Sequence, residues 1–308
     1  MDDLEFQKLK AQLDEEMNGD ADHDADVLND WLDRYIEDPE AEPIIVELAR
    51  RMFEIDAAND PDLAQEIFNI IIKNADTTYD EVCGLTAEGK FEEAVEKLQP
   101  VIDNIRKFRL PVDSIWMDFN SFLDSLVYQD YFSAQIGERE VARHPMKPSR
   151  ILFTCGTLLI ELGRAAEALV PLKMLLTYDP VCPKFLFEYG EALKRCGRMR
   201  DAYENALWAV SCASDRSELA RCYRDLAYCL SEMDSFEESM ILYLLSLRFQ
   251  TSRQAETEIV WLQKRAGISP EQYDMETIRQ RCEEMGIPIG ISETVQNNIE
   301  FLKSISMD

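Results

Sequence analysis

The chain has 308 residues, 60 acidic against 32 basic, and a net charge of −28. Such a surface repels phosphate backbones and anionic headgroups, which speaks against nucleic acid or a membrane as a direct partner of the whole molecule. Apolar residues make up 46% of the chain, while glycine and proline number only 11 and 12, a balance that favours packed helices over turn-rich sheet.

Met1 to Lys10 carries acidic residues where a signal peptide needs positive charge. No apolar run approaches the roughly 18 residues of a membrane span, so a cytoplasmic protein is expected. None of the eight cysteines forms a C-x-x-C pair; most sit among apolar residues, where a thiol packs as a small hydrophobe, as suits a reducing compartment.

Acid is concentrated at the start: residues 1–66 hold 22 Asp and Glu against 5 Lys and Arg. Leu4, Leu9 and Leu13 predict a short helix that ends at Asn18-Gly19, and Asp20 to Asp26 reads as an exposed acidic linker. Val27, Leu28, Trp31, Leu32, Tyr35 and Ile36 recur at helical spacing. Pro39 and Pro43 punctuate, and Ile44 to Ile55 is a further amphipathic helix. Asp60-Pro61 starts another, with Leu63, Ile67, Phe68, Ile71 and Ile72 as its buried stripe.

Further on the pattern repeats. Gly156 recurs as Gly190, Gly163 as Gly197 and Ala168 as Ala202, each 34 residues later. A third unit places Ala227, Asp234 and Ser239 at an offset of 37, the extra residues falling near Cys212 to Ser217, where a loop is expected. The first unit carries Leu152, Cys155, Gly156, Leu159, Gly163, Ala168, Leu172, Leu175 and Pro180. The second carries Leu186, Tyr189, Gly190, Leu193, Gly197, Ala202, Ala206 and Ala209, and the third Tyr223, Leu226, Ala227, Leu230, Asp234, Ser239, Tyr243 and Ser246. Small residues let two antiparallel helices approach, Gly or Asp makes the tight turn between them, and large residues fill the grooves between hairpins that cannot bury their faces alone.

These residues resemble the tetratricopeptide repeat (TPR) family. The resemblance implies an all-α fold: a right-handed superhelical stack of antiparallel helix pairs, an α-solenoid with a helical N-terminal region and a C-terminal helical cap. The expected organisation is an acidic helical region over 1–75, degenerate hairpins over 76–148, repeats over 149–251 and a cap over 252–308. In the degenerate stretch, Gly89-Lys90-Phe91 with Ala94, Leu98 and Val101 is similar to a turn and second helix, and its first helix lies near Thr78 to Leu85. Tyr131, Ala134, Val141 and Pro145 mark another weak unit over 112–145. In the cap, Ile259, Leu262 and Ala266 continue a helix, and Ser269-Pro270-Glu271 reads as an N-cap with proline in the first turn. Gly286 ends that helix, and Ser292 starts a last one with Val295, Ile299, Leu302 and Ile305.

Little points to chemistry. His23 and His144 stand in no catalytic or metal-ligand spacing and read as surface residues, and there is no nucleophile elbow or phosphate loop. Asp20, Asp22, Asp24 and Asp26 alternate as in a calcium loop, yet Ala25 and Trp31 stand where glycine and a bidentate glutamate are needed. No metal, cofactor or catalytic residue is expected.

The TPR resemblance implies that the first helix of each pair lines a concave groove. Its groove positions hold Arg150, Phe153, Thr157, Ile160 and Glu161, then Lys184, Phe187, Glu191, Lys194 and Arg195, then Arg221, Arg224, Tyr228, Ser231 and Glu232. A basic row on an acidic protein implies a protein or peptide partner with an acidic or carboxylate-ended segment, held by Arg150, Lys184, Lys194, Arg221 and Arg224 and packed by Phe153, Phe187 and Tyr228. Two alternatives stay open: these bases pair with neighbouring acids, or the acidic N-terminal region occupies the groove. The asparagines of the carboxylate clamp in chaperone adaptors have no counterpart, and Glu188 and Asp225 stand nearby. An adaptor or scaffold is therefore expected, with a peptide-sensing receptor or an unrecognised helical enzyme as competing readings.

Overall fold

Helix pairs joined by tight turns account for most of the computed structural model, which describes residues 3–35, 41–56, 61–107 and 114–305. Ile36, Pro39 and Asp60 lie outside the described residues, as do the side chains of Leu4, Leu63, Ile67 and Phe68. The chain divides into two compact units, 1–111 and 112–308.

The first unit holds α1 (Asp3–Glu16), α2 (Ala21–Tyr35), α3 (Glu42–Asp56), α4 (Pro61–Ala87) and α5 (Phe91–Lys107). The expected linker over Asp20 to Asp26 is instead the start of α2. Asp20 caps it, its carboxylate accepting the His23 N–H at 3.1 Å. Asp22 and Asp24 occupy the first turn, where negative charge complements the exposed N–H groups. Asp24 is buried, because its carboxylate accepts the N–H groups of Asn18 and Gly19 at 2.8 and 3.0 Å and closes the preceding turn. Trp31 ties α2 to α1 through a 2.9 Å bond to Glu16. On α3, burial by itself would raise the pKa of Glu47; Arg50 and Arg51, at 2.6 and 2.9 Å, outweigh it and hold the carboxylate below its ordinary value. α4 packs against α3 on one side and α5 on the other.

The second unit opens with a departure. In place of a weak hairpin over 112–145 it has strand β1 (Ser114–Met117), helices α6 (Phe122–Tyr131) and α7 (Ser133–Ile136), and strand β2 (Glu140–Arg143). The strands are parallel, with Ile115 opposite Val141 and Trp116 opposite Ala142; Ile, Val and Trp suit an extended run. His144 continues the ladder, donating its N–H to Met117 O at 2.6 Å. Its ring is buried rather than on the surface: it stands edge-on to Tyr178, and its Nδ1 accepts the Met146 N–H at 3.3 Å. Burial pulls its pKa down to about 4, so it is neutral.

Three antiparallel pairs follow: α8 (Pro148–Glu161) with α9 (Ala165–Tyr178), α10 (Pro183–Arg195) with α11 (Met199–Cys212), and α12 (Arg216–Glu232) with α13 (Phe236–Phe249). Their turns rest on Gly163, Gly197 and Asp234, at φ of 74°, 71° and 63°, a conformation that closes a helix and favours Gly or a short polar residue. Gly156 permits the closest helix approach, since a Cβ there would lie 2.4 Å from Leu172 Cγ. The extra residues of the third unit lengthen a helix rather than a loop: Asp215 accepts the Glu218 N–H at 2.9 Å and starts α12 early.

Helices α14 (Arg253–Ala266) and α15 (Met275–Glu284) pack against α13. Asp274, not Ser269, caps α15, while Pro270–Gln272 forms a separate 3-10 turn. The chain then runs back toward α6. Tyr223 Oη donates to Pro288 O at 2.9 Å, Ser292 Oγ donates to Ser211 O at 2.8 Å, and α16 (Glu293–Ile305) packs on α6. The cap thus covers α13 and returns to the start of the unit, and one core joins Val127 and Tyr128 to Leu186, Leu226, Ile287 and Val295.

Candidate functional site

The face expected to bind is carried by α8, α10 and α12. Its aromatic and basic residues interlock between neighbouring pairs. Lys184 Nζ sits 4.2 Å from the centre of the Phe153 ring, and the Arg221 guanidinium sits 4.2 Å from that of Phe187. The same step therefore occurs twice: a cation in the first or second turn of one first helix lies over a ring of the first helix before it. Phe153 also leans on Phe185, with ring centres 5.3 Å apart, so the ring is held from the core side while its face carries the ammonium.

Lys194 is drawn into a different arrangement. Its ammonium lies 2.7 Å from Asp225 and 3.1 Å from Glu191, and 5.5 Å from the centre of the Tyr228 ring. Burial alone would lower its pKa; Asp225 and Glu191 outweigh that and raise it. Arg221 approaches Glu188 at 3.5 Å and Asp225 at 4.0 Å. Arg195 closes the row by pairing with Glu191 at 2.7 Å and donating to Ile160 O at 2.9 Å, which ties α10 to the end of α8. Much of the basic row is thus matched, charge for charge, by acids on α10 and α12.

Three of the expected residues stand outside that network. Arg150 lies in the first turn of α8, where its charge acts on the buried Asp118 carboxylate. Lys184 is exposed and has no ion-pair partner among the described residues. Arg224 is half-buried on α12, and its Nη1 is shut off from solvent without a hydrogen-bond partner among the described residues. Burial pulls its pKa down, with Asp225 opposing that shift. Sequence spacing placed these cations on one row. It missed the ring-to-cation register between units and the Arg195 bridge, both of which depend on neighbouring pairs being seated side by side.

A second cluster lies at the junction of α6, α9 and α10. Asp124, Asp179 and Cys182 are buried, with ligand-type atoms all within 4.8 Å of one another. Asp179 accepts the N–H groups of Asn120 and Val181 at 2.8 and 3.4 Å, which fastens the β1–α6 loop to the start of α10. Burial, with the Asp124 charge adding to it, pushes Asp179 up to about 8. It therefore holds a proton near neutrality, which lets two carboxyls share a dry site.

No protein-family model matches the chain, and no curated protein matches it. Solved structures that it resembles include the crystal structure of YrrB, described as a TPR protein with an unusual peptide-binding site. The match covers 76% of this chain and 97% of that one, at 11% identity and a TM-score of 0.43. The class rests on the molecule itself: a TPR-like helical repeat protein, with stacked antiparallel pairs, left-handed turn residues at matching places and a small residue where the helices cross.

Proposed function

We propose that the inner face of α8, α10 and α12 binds a protein segment carrying an acidic side chain or terminal carboxylate beside an apolar residue. The observation that carries this reading is Arg224, a half-buried guanidinium with one nitrogen enclosed and unbonded. The side chain as a whole is only half-buried, so a carboxylate meets the part of the guanidinium that stays open and forms a charge-assisted bond that offsets the burial of the cation. Lys184 supplies a second, exposed cation, and the Phe153 ring beneath it offers apolar contact. The Lys194 and Arg221 network favours rigidity at the centre of the face over charge excess, so the segment is read mainly by the cations outside that network. The role is binding, with no catalytic step.

Selection of a displayed random peptide library on the full chain tests this. Enriched peptides are expected to carry Asp, Glu or a free C-terminus next to an aliphatic or aromatic residue. Lys184→Glu and Arg224→Met are each expected to weaken them by about tenfold or more, ~1.4 kcal/mol. Binding to both variants that equals wild type would overturn the assignment.

A further inference from the structure

The first unit has its own groove, and its charge is opposite. A cavity of about 940 Å³ opens where α4 forms a floor between α3 and α1 on one side and α5 on the other. That volume is near the upper end of the roughly 300–1,000 Å³ of small-ligand clefts. Its floor carries Thr77 and Thr78; the half-buried Phe6 and Leu85 are in its lining, with Val46 and Val101 buried there. Two of its carboxylates are matched internally: Glu81 by Lys97, and Glu47 by Arg50 and Arg51. Glu93 and Glu96 are different. They project from one side of α5, one turn apart, and are exposed; the charge of Glu93 acts on Lys90, which is itself paired with Glu88 at 2.8 Å, and Glu96 has no ion-pair partner among the described residues.

We infer that this groove takes a short lysine- or arginine-bearing segment of a partner protein, with Glu93 and Glu96 holding its cations and Phe6 and Leu85 packing its apolar side chains. Charge complementarity selects the occupant. Residues 1–111 hold 30 Asp and Glu against 11 Lys and Arg, a net of −19, so a basic segment is drawn in at long range as well as held at the rim. A second copy of this chain is disfavoured, because it brings the same excess of negative charge. An apolar wall beside paired carboxylates suits a peptide with both side-chain types better than a simple polycation.

The test uses the full chain and a short fluorescein-labelled peptide alternating lysine and leucine, read by anisotropy, with spermine as a competing small cation. The peptide is expected to bind wild type and to weaken about tenfold or more in the Glu93→Gln/Glu96→Gln variant, ~1.4 kcal/mol. The Asp26→Asn/Asp30→Asn variant loses the same charge from exposed positions of α2 and is expected to bind as wild type. Absent binding, equal weakening in both variants, or spermine that competes as well as the unlabelled peptide would overturn the inference.

Discussion

Gly156 and Gly163 are both glycine for different reasons, and substitutions separate them. At 156 the constraint is space, since an added Cβ meets Leu172 at 2.4 Å; at 163 it is a φ of 74°, with nothing within 4 Å. Gly156→Ala is expected to cost about 1–3 kcal/mol by overpacking, and the larger Gly156→Asn more. Gly163→Ala is expected to cost ~1–2 kcal/mol, but Gly163→Asn less, since asparagine tolerates the left-handed region. Thermal unfolding midpoints check this reversed order, at ~2–4 °C per kcal/mol for a unit of this size. Both glycines were legible as repeat positions. The buried state of His144 was not, because it depends on β2, and a four-residue strand leaves almost no periodicity to read. Asp179 gives a residue-scale pH effect. Its carboxyl titrates near 3.8 when unfolded and near 8 when folded, so the folded state holds the proton more tightly. The associated stabilisation is full at low pH and is lost as pH rises from about 4 to about 8. Asp124→Asn removes the neighbouring charge, so the decline in unfolding midpoint between pH 5 and 8 is expected to be shallower than in wild type. An equal or steeper decline would contradict the pairing.

At the scale of elements, the contact between α10 and α12 is set by Asp225, which faces Lys194 and Arg221 together. Asp225→Ala leaves Lys194 half-buried with one partner fewer. It is expected to lower stability by about 1.5–3 kcal/mol, the scale of a hydrogen bond to a charged group. The same change releases cations on the binding face, so an acidic peptide is expected to bind the variant more tightly than wild type. Denaturant unfolding and peptide titration on one preparation measure the two opposing effects. The helices of the repeats were legible because three features agree: apolar spacing, small residues at crossings and left-handed turn residues. The lengthened α12 was not, because a three-residue insertion reads alike as loop or helix until Asp215 is seen to cap it. Likewise the first turns of α2, though not its apolar stripe from Val27 on, hid within an acidic run whose aspartates serve as cap and first-turn residues.

For the whole molecule, the charge is unevenly divided: residues 1–111 carry −19 of the total −28. Among the described residues each unit presents charges outside its ion pairs, and their signs are opposite: Lys184 and Arg224 in one, Glu93 and Glu96 in the other. The sequence disclosed the basic row but not which of its members are already neutralised, because pairing across α10 and α12 joins residues 31 positions apart. The acidic groove of the first unit had no sequence signal beyond its excess of acid. The most direct measurement of the central claim is a double-mutant cycle on the full chain, pairing Arg224→Met with replacement of the acidic residue of a selected peptide by its amide. Direct contact is expected to give a coupling of about 0.5–3 kcal/mol, with the second change costing little once the first is made. Additive losses, with no coupling between Arg224 and the peptide carboxylate, would contradict the assignment of this face as the binding site.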